Sequence, residues 1–189
     1  MNYVGNYNWW IKSDLIDKLN LLEEAGVTKL HDSGRWTGHD ALEQYREKIK
    51  AYEYREGDSF QQFFRASSAF KDYSITLPDL PENRNEIFWW IVKLKPGQFQ
   101  TMHVDPHLFQ SVNPVRYTMY LQDWQPGHIF VYKNKIITNY KAGDLYQWDD
   151  GIMEHGAANI SFTTRYSLQI SMQDKIEGDF LVPNKEALK

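Results

Sequence analysis

The residues with the clearest potential for chemistry are His103 and Asp105, together with His155 further along the chain. If residues 103–105 form a strand, side chains alternate in direction, so His103 and Asp105 share one face and Val104 lies on the other. Two imidazoles and one carboxylate on one side of a metal suit Fe(II) and leave coordination positions open for substrate and oxygen. The triplet therefore predicts two ligands of a metal site, with His155 as the third.

A later segment, residues 164–172, alternates strictly between polar and apolar side chains. In a strand the polar set faces either solvent or a polar cavity. A guanidinium offers a planar, two-pronged donor for a carboxylate, and a hydroxyl adds one more donor. Because Arg165 follows His155 by ten residues, we expect Arg165 and Ser167 to hold a carboxylate in the same pocket.

The composition excludes several function classes. The 189 residues include no cysteine, so there is no disulfide framework and no zinc–thiolate site. The net charge of −4 argues against a general nucleic-acid-binding surface. The longest apolar run, residues 87–92, is too short to span a bilayer. We expect a soluble, cytoplasmic protein with no nucleic-acid or membrane partner.

The elements that must position these residues begin with a helical part, residues 1–77. A helix is predicted after Ser13, with an apolar face and an end at Gly26. A second helix is predicted from about Asp40, and a third after the S-x-x-Q capping pattern of residues 59–62. The predicted apolar faces are Leu15, Ile16, Leu19 and Leu22, then Leu42, Tyr45, Ile49 and Tyr52, then Phe60, Phe63, Phe64 and Phe70.

From Glu86 onward the pattern changes to short strands rich in β-branched and aromatic residues. Eight short strands without intervening helices favour a jelly roll or barrel. We predict one domain over residues 1–189, mainly β with N-terminal helices: a helical support (1–77), a catalytic core (86–172) and a C-terminal tail (173–189). The strand candidates are 87–94, 98–104, 115–122, 128–132, 135–140, 144–148, 153–158 and 164–172.

Together, the motifs H-x-D, H and R-x-S resemble those of the Fe(II)/2-oxoglutarate-dependent oxygenase superfamily. The resemblance implies a double-stranded β-helix, the cupin-like form of the jelly roll. It also implies that His103, Asp105 and His155 bind Fe(II). Arg165 would bind the distal carboxylate of 2-oxoglutarate, and Ser167 would assist.

Two further segments resemble this superfamily. Residues 143–148 are similar to the Gly-Asp strand that precedes the second histidine, and residues 116–124 are similar to a strand of prolyl-hydroxylase-like members. Residues 127–130 depart from that branch, because they read Gly-His-Ile-Phe where such members often carry Gly-Gly-Glu-Thr. The branch is favoured, and the prolyl substrate is left open.

Other side chains are candidates for the pocket. Thr118 and Tyr120 would line the co-substrate site. Arg116 shares their strand face and is either a rival carboxylate clamp or part of a solvated edge. Substrate contacts are expected from the divergent loops, with residues 27–40 and 106–114 at the pocket mouth. Candidates for substrate contact are His107, His128, Arg116 and Trp148. His107 is otherwise a loop residue or an alternative ligand, His128 is expected at the pocket rim or surface, and Trp148 is expected in the core or the pocket wall.

The reaction implied by the resemblance is hydroxylation of a substrate with O2, coupled to decarboxylation of 2-oxoglutarate to succinate. The substrate would be a protein side chain, an amino acid or a small metabolite, and the oligomeric state is left open. Two alternatives compete with this reading. One is a cupin-like non-haem iron protein that does not use 2-oxoglutarate, and the other is a catalytically silent jelly-roll binding protein.

Overall fold

The computed structural model describes residues 1–26, 29–31, 61–65, 68–82, 84–104, 112–149 and 153–174. These residues form two antiparallel sheets and few helices. The strands are β1 (Asn2–Asn6), β2 (Lys29–His31), β3 (Gln61–Arg65), β4 (Glu86–Leu94), β5 (Phe99–His103), β6 (Val112–Tyr120), β7 (His128–Tyr132), β8 (Lys135–Ile136), β9 (Asp144–Gln147), β10 (His155–Asn159) and β11 (Arg165–Asp174). The helices are a 3₁₀ turn (Asn8–Trp10), α1 (Leu15–Glu24) and α2 (Ser68–Asp72).

The strand order defines the fold. The larger sheet runs β1-β9-β6-β11-β4-β3-β2, and the smaller sheet runs β5-β10-β7-β8. From β4 to β11 the chain passes back and forth between the sheets, so each sheet interleaves early and late strands. This is a jelly roll, or double-stranded β-helix, and the predicted fold class is confirmed.

Strand β11 separates two interiors. Its apolar side chains, such as Leu168 and Ile170, join one hydrophobic cluster with Leu19 and Leu22 of α1. Its polar side chains are also buried, and they face the space between the two sheets. Of the two options left open by the alternation, exposure to solvent is therefore excluded. The polar set is Arg165, Ser167, Gln169 and Ser171.

Helix α1 confirms the first helical prediction. It buries Leu15, Leu19 and Leu22 against the larger sheet. Its C-terminus is followed by Gly26 at φ +72°, the left-handed conformation that glycine adopts without steric cost. None of the helices in the described residues combines the length and the apolar character needed to cross a bilayer.

The third predicted helix is wrong over residues 61–65, and among the described residues of this region only the short helix α2, which buries Phe70 of the predicted face, is helical. Residues 61–65 form strand β3, which pairs with the edge of β4 and places Phe63 opposite Val92. The S-x-x-Q pattern is a local helix signal, whereas an unpaired strand edge offers a whole row of backbone hydrogen bonds. That pairing overrides the local preference, and Phe64 is fully buried as a result.

Other differences concern short elements. Strand β1 was not predicted, and it adds to the larger sheet beside β9. The candidate strand 135–140 is reduced to Lys135–Ile136. The predicted second helix, from about Asp40, lies outside the described residues.

Candidate functional site

Two of the three predicted metal ligands lie side by side. His155 of β10 is directly opposite His103 of β5 in the antiparallel ladder. The centroids of the two imidazole rings are 4.3 Å apart. His155 is buried, with 5% of its surface exposed. The jelly-roll topology thus brings together two histidines that are far apart in the sequence.

Hydrogen bonds define the tautomers of both rings. His155 Nδ1 lies 3.0 Å from the carbonyl oxygen of Met153. A carbonyl only accepts, so Nδ1 donates and the lone pair of the neutral ring is on Nε2. The Gln100 amide nitrogen donates to His103 Nε2 over 2.9 Å, which also assigns the lone pair of that ring to Nε2. In a metal-binding histidine, the ring nitrogen that does not bind the metal usually donates a hydrogen bond, often to a carbonyl, which fixes the orientation of the ring.

The third predicted ligand, Asp105, lies outside the described residues, as does His107. Within the described ranges, no group of three His, Asp or Glu side chains is arranged to hold a metal ion. The complete triad therefore stays a prediction.

Aromatic rings enclose the histidine pair. The Trp148 ring meets His155 edge to face, with centroids 4.7 Å apart, and the Phe130 ring lies 6.4 Å from His155. Trp148 is held in place because its indole N–H donates to Thr118 Oγ1 over 2.9 Å. The Thr118 hydroxyl in turn donates to Gln169 over 2.9 Å. Trp148 thus belongs to the smaller hydrophobic cluster and contacts His155, and Thr118 holds it there.

Arg165 and His155 both lie near the Phe130 ring. Arg165 is 2% exposed, and its guanidinium carbon is 5.6 Å from the ring centroids of both Phe130 and Tyr120. The Tyr120 ring stacks on Tyr140 with centroids 3.5 Å apart and planes 5° apart. A buried cation is therefore surrounded by aromatic rings at one end of the space between the sheets.

This pocket is rich in hydrogen-bond donors that have no acceptor. Within the part of the chain that the structure describes, Nε and Nη2 of Arg165 and the hydroxyls of Tyr120 and Tyr140 are buried and make no hydrogen bond. A buried donor without an acceptor lowers the stability of the folded state, and the loss is largest for a charged group such as a guanidinium. A carboxylate has the acceptors that all four groups lack.

The two tyrosines are suited to donate. Burial raises the pKa of Tyr120, and the opposing effect of the nearby Arg165 charge is smaller. Burial likewise raises the pKa of Tyr140, again opposed by Arg165. Both phenols stay protonated at neutral pH, so each offers an O–H to an anion. Ser167, also buried, accepts a hydrogen bond from Gln169 over 3.4 Å and is directly opposite Tyr120 in the β11–β6 ladder.

Arg116 is a second buried guanidinium. It is 2% exposed on β6, a strand flanked by β9 and β11, so the solvated-edge alternative is wrong. Its guanidinium carbon lies 4.0 Å from the centroid of the Trp148 ring system and 5.9 Å from that of Trp90. The Trp148 ring therefore contacts both Arg116 and His155.

His128 is buried, with 1% exposure, so the expectation of a rim or surface position is wrong. Its Nε2 lies 3.2 Å from the carbonyl oxygen of Thr163. Burial lowers the pKa of His128, and the Arg165 charge adds to this effect. It pairs with Asn159 at the far end of the β7–β10 ladder from His155. A neutral His128 ties β7 to the β10–β11 turn.

Two site residues were not identified from the sequence. Tyr140 follows the shortened strand β8, and an aromatic residue at a strand end gives no local sign that its hydroxyl lies beside Arg165. Gln100 is three residues before His103, a spacing that would place them on opposite faces of a regular strand. The β5–β10 ladder is irregular there, which allows both side chains to meet.

No protein-family model matches the sequence, and no curated protein matches it. Similar solved structures include a predicted oxalate decarboxylase from Thermotoga maritima, with TM-score 0.41 and 16% identity over 61% of this chain and 82% of that chain. A sugar phosphate isomerase from a cupin superfamily, from Silicibacter pomeroyi, has TM-score 0.39 and 12% identity over 60% of this chain and 59% of that chain. An RmlC-like cupin from Shewanella frigidimarina has TM-score 0.38 and 11% identity over 64% of this chain and 81% of that chain.

Two of these three structures are described as cupins, and none of the three descriptions names a 2-oxoglutarate-dependent oxygenase. At such identities a neighbour's activity does not transfer to this chain. The fold assignment rests on the strand order, and the function has to be argued from the site.

Proposed function

We propose that this protein is an Fe(II)- and 2-oxoglutarate-dependent oxygenase that hydroxylates a small-molecule or peptide substrate. The observation that carries the proposal is the buried, acceptor-poor pocket at Arg165, one aromatic ring away from the paired histidines. A carboxylate bound there would have its other end directed toward His103 and His155. That arrangement suits a dicarboxylate co-substrate that also binds the metal.

The described residues fit both groups. His103 and His155 both carry their lone pairs on Nε2. For His103, the metal would take the place of the hydrogen bond from Gln100. At the other end, a carboxylate would satisfy the two guanidinium nitrogens and two phenols that make no hydrogen bond within the described residues. Asp105 is proposed as the third metal ligand.

Each side chain would have a distinct task. His103, Asp105 and His155 would hold the iron, leaving open coordination positions. With 2-oxoglutarate and O2, the bound iron would supply the oxidising power that inserts one oxygen atom into a substrate C–H bond, as 2-oxoglutarate becomes succinate and carbon dioxide. Arg165 would orient the co-substrate through its distal carboxylate. Trp148 and Phe130 would exclude water from the metal.

A jelly-roll iron protein that does not use 2-oxoglutarate would have the same histidine pair. Such a protein would not need a buried guanidinium and two buried phenols whose hydrogen-bond donors lack acceptors. A silent binding protein would require neither site. Binding of 2-oxoglutarate therefore separates the three functions.

The test is equilibrium dialysis of 2-oxoglutarate against the protein with Mn(II), which replaces Fe(II) without redox chemistry. We expect one metal-dependent binding site, and about 10- to 100-fold weaker binding in Arg165→Gln, because a charge-assisted hydrogen-bond pair is lost. Arg84→Gln is the matched control, since Arg84 pairs with Glu82 outside this pocket. If Mn(II) binds without 2-oxoglutarate, the iron protein without this co-substrate is supported instead.

A further inference from the structure

Four buried side chains form a hydrogen-bonded chain between the histidine pair and the Arg165 pocket. The Trp148 indole N–H donates to Thr118 Oγ1 over 2.9 Å, and the Thr118 hydroxyl donates to Gln169 Oε1 over 2.9 Å. The Gln169 amide nitrogen donates to Ser167 Oγ over a longer distance of 3.4 Å. Each of these four residues is at most 7% exposed. The chain of hydrogen bonds therefore lies inside the protein.

The two ends of this chain lie in the two halves of the proposed site. At one end the Trp148 ring contacts His155, with centroids 4.7 Å apart. At the other end Ser167 follows Arg165 by two residues on β11, so both side chains lie on the same face of the strand. Directly across the β11–β6 ladder from Ser167 is Tyr120, whose ring lies 5.6 Å from the Arg165 guanidinium carbon. The chain thus joins the proposed metal site to the proposed carboxylate site.

The indole sets the direction of the hydrogen bonds in the chain. An indole N–H only donates, so the Thr118 oxygen accepts from Trp148. The Thr118 hydroxyl has a single proton, which it donates to the carbonyl oxygen of the Gln169 amide. The NH2 group of Gln169 is then turned toward Ser167, and the Ser167 oxygen accepts from it. The Ser167 proton is therefore left to donate to an anion in the Arg165 pocket.

The opposite orientation of the amide would remove this donor. If Gln169 were turned over, its carbonyl oxygen would take the Ser167 proton, and the hydroxyl would present only lone pairs to a carboxylate. We propose that Gln169 is a positioning residue that commits the Ser167 hydroxyl to donating to the co-substrate carboxylate. This inference rests on the proposed function, because it takes the Arg165 pocket as the binding site of 2-oxoglutarate.

The test is a double-mutant cycle on 2-oxoglutarate binding, measured by equilibrium dialysis of the protein with Mn(II). Ser167→Ala should weaken binding about 10-fold, because a hydrogen bond to a charged group is lost. Gln169→Leu should weaken binding about 5-fold, because the Ser167 hydroxyl then rotates freely about its C–O bond. In the Ser167→Ala background the same change should cost less than about 2-fold, because Gln169 acts through that hydroxyl.

Two controls separate this role from a general effect on the fold. Gln173→Leu is the matched variant, since Gln173 is on the same strand but its amide donates to Glu86. It should leave 2-oxoglutarate binding unchanged. The affinity for Mn(II) alone should be the same in Gln169→Leu and in the wild type.

Thr118→Val provides a second variant in case Gln169→Leu does not fold. It keeps Gln169 but releases the amide to turn over, so we expect weaker 2-oxoglutarate binding that again depends on Ser167. The proposal is overturned if the folded variant binds like the wild type, or if the loss is equal with and without Ser167. Failure of both variants to fold would assign the chain to stability and also overturn it. Absence of 2-oxoglutarate binding in the wild type refutes the proposed function instead, which keeps the two failures distinct.

Discussion

His103 and His155 are directly opposed in the β5–β10 ladder, and their ring centroids lie 4.3 Å apart. Strand register therefore creates the candidate metal site. A slip of one residue in this pairing would turn one imidazole to the opposite face of the sheet. The bond from His155 Nδ1 to the Met153 carbonyl then fixes the ring in the tautomer that a metal requires.

Replacing a histidine of the pair should abolish metal binding without unfolding the protein. For His103→Ala, we expect metal affinity to fall more than about 100-fold. Removing a residue that only supports a ligand weakens metal binding by about 10- to 100-fold, and removing the ligand itself should have a larger effect. Asp105→Ala should do the same. Met102→Ala is the control, since Met102 precedes His103 and is exposed. Bound iron and far-ultraviolet circular dichroism are the measurements. Loss of secondary structure in both ligand variants would indicate a structural role.

The Tyr140 hydroxyl should serve the co-substrate and not the fold. Among the described residues it has no hydrogen-bond partner, although it is buried. Tyr140→Phe should therefore weaken 2-oxoglutarate binding by about 10-fold and leave the thermal midpoint unchanged or raised. Tyr132→Phe is the contrasting control, because the Tyr132 hydroxyl donates to Asp149; its thermal midpoint should fall. A lower midpoint with unchanged co-substrate binding in Tyr140→Phe would contradict this role.

The ion pair between Lys93 and Glu23 should fix α1 to the larger sheet. Lys93 is buried, and Glu23 and Asn20 of α1 accept hydrogen bonds from it. Glu23→Gln leaves a buried ammonium without its counter-charge, so we expect a loss of about 2–3 kcal/mol in the free energy of unfolding at pH 7. Glu24→Gln, at an exposed position of the same helix, should have little effect.

This stabilisation should depend on pH in a defined direction. Burial by itself would lower the pKa of Lys93, but hydrogen bonding to Glu23 and attraction from Tyr166 and Glu23 outweigh it, so the pKa is raised. A raised pKa means that the contribution is fully present below about pH 10.4, the unfolded value, and is lost as the pH rises through the folded value. Chemical denaturation of wild type and Glu23→Gln from pH 7 upward should show the difference shrinking above about pH 10.4. A difference that grows with pH would exclude the ion pair as its cause.

Gly143 should not tolerate a side chain. Its φ is +86°, and an added Cβ would lie 2.2 Å from the backbone nitrogen of Asn8. Gly143→Ala should therefore destabilise the protein by about 2–4 kcal/mol, from backbone strain and displacement of the turn before β9. Gly97→Ala separates the two effects, because Gly97 has φ +85° and open space around it; about 1 kcal/mol is expected there. Equal losses in thermal denaturation would show that the clash contributes nothing.

Much of the core fold and the histidine pair could be predicted, because both depend on strong periodic signals. Residues 164–172 alternate strictly, and that pattern left solvent and a polar cavity as the two possible surroundings of the polar side chains. The strand predicted over 98–104 corresponds to β5, and His103 lies at the end of that strand, opposite His155. Strand β3 could not be predicted, because its conformation depends on the edge of β4 and not on its own residues.

The second part of the site depends on contacts that no local pattern encodes. Tyr140 joins the Arg165 pocket by stacking on Tyr120, a residue twenty positions earlier. His128 was expected at the pocket rim or surface, and nothing in its local sequence shows which face of the strand is buried. Its side chain points inward instead, as the alternating burial of β7 requires. Such placements follow from how the two sheets face each other.

The most direct test of the central claim is an anaerobic titration of the metal-free protein with Fe(II) and then 2-oxoglutarate, followed by visible absorbance. We expect a weak charge-transfer band that requires both additions and is absent in His155→Ala. Its intensity should saturate with 2-oxoglutarate at higher concentration in Arg165→Gln than in the wild type. Confirmed iron binding without any band on addition of 2-oxoglutarate would contradict the oxygenase assignment.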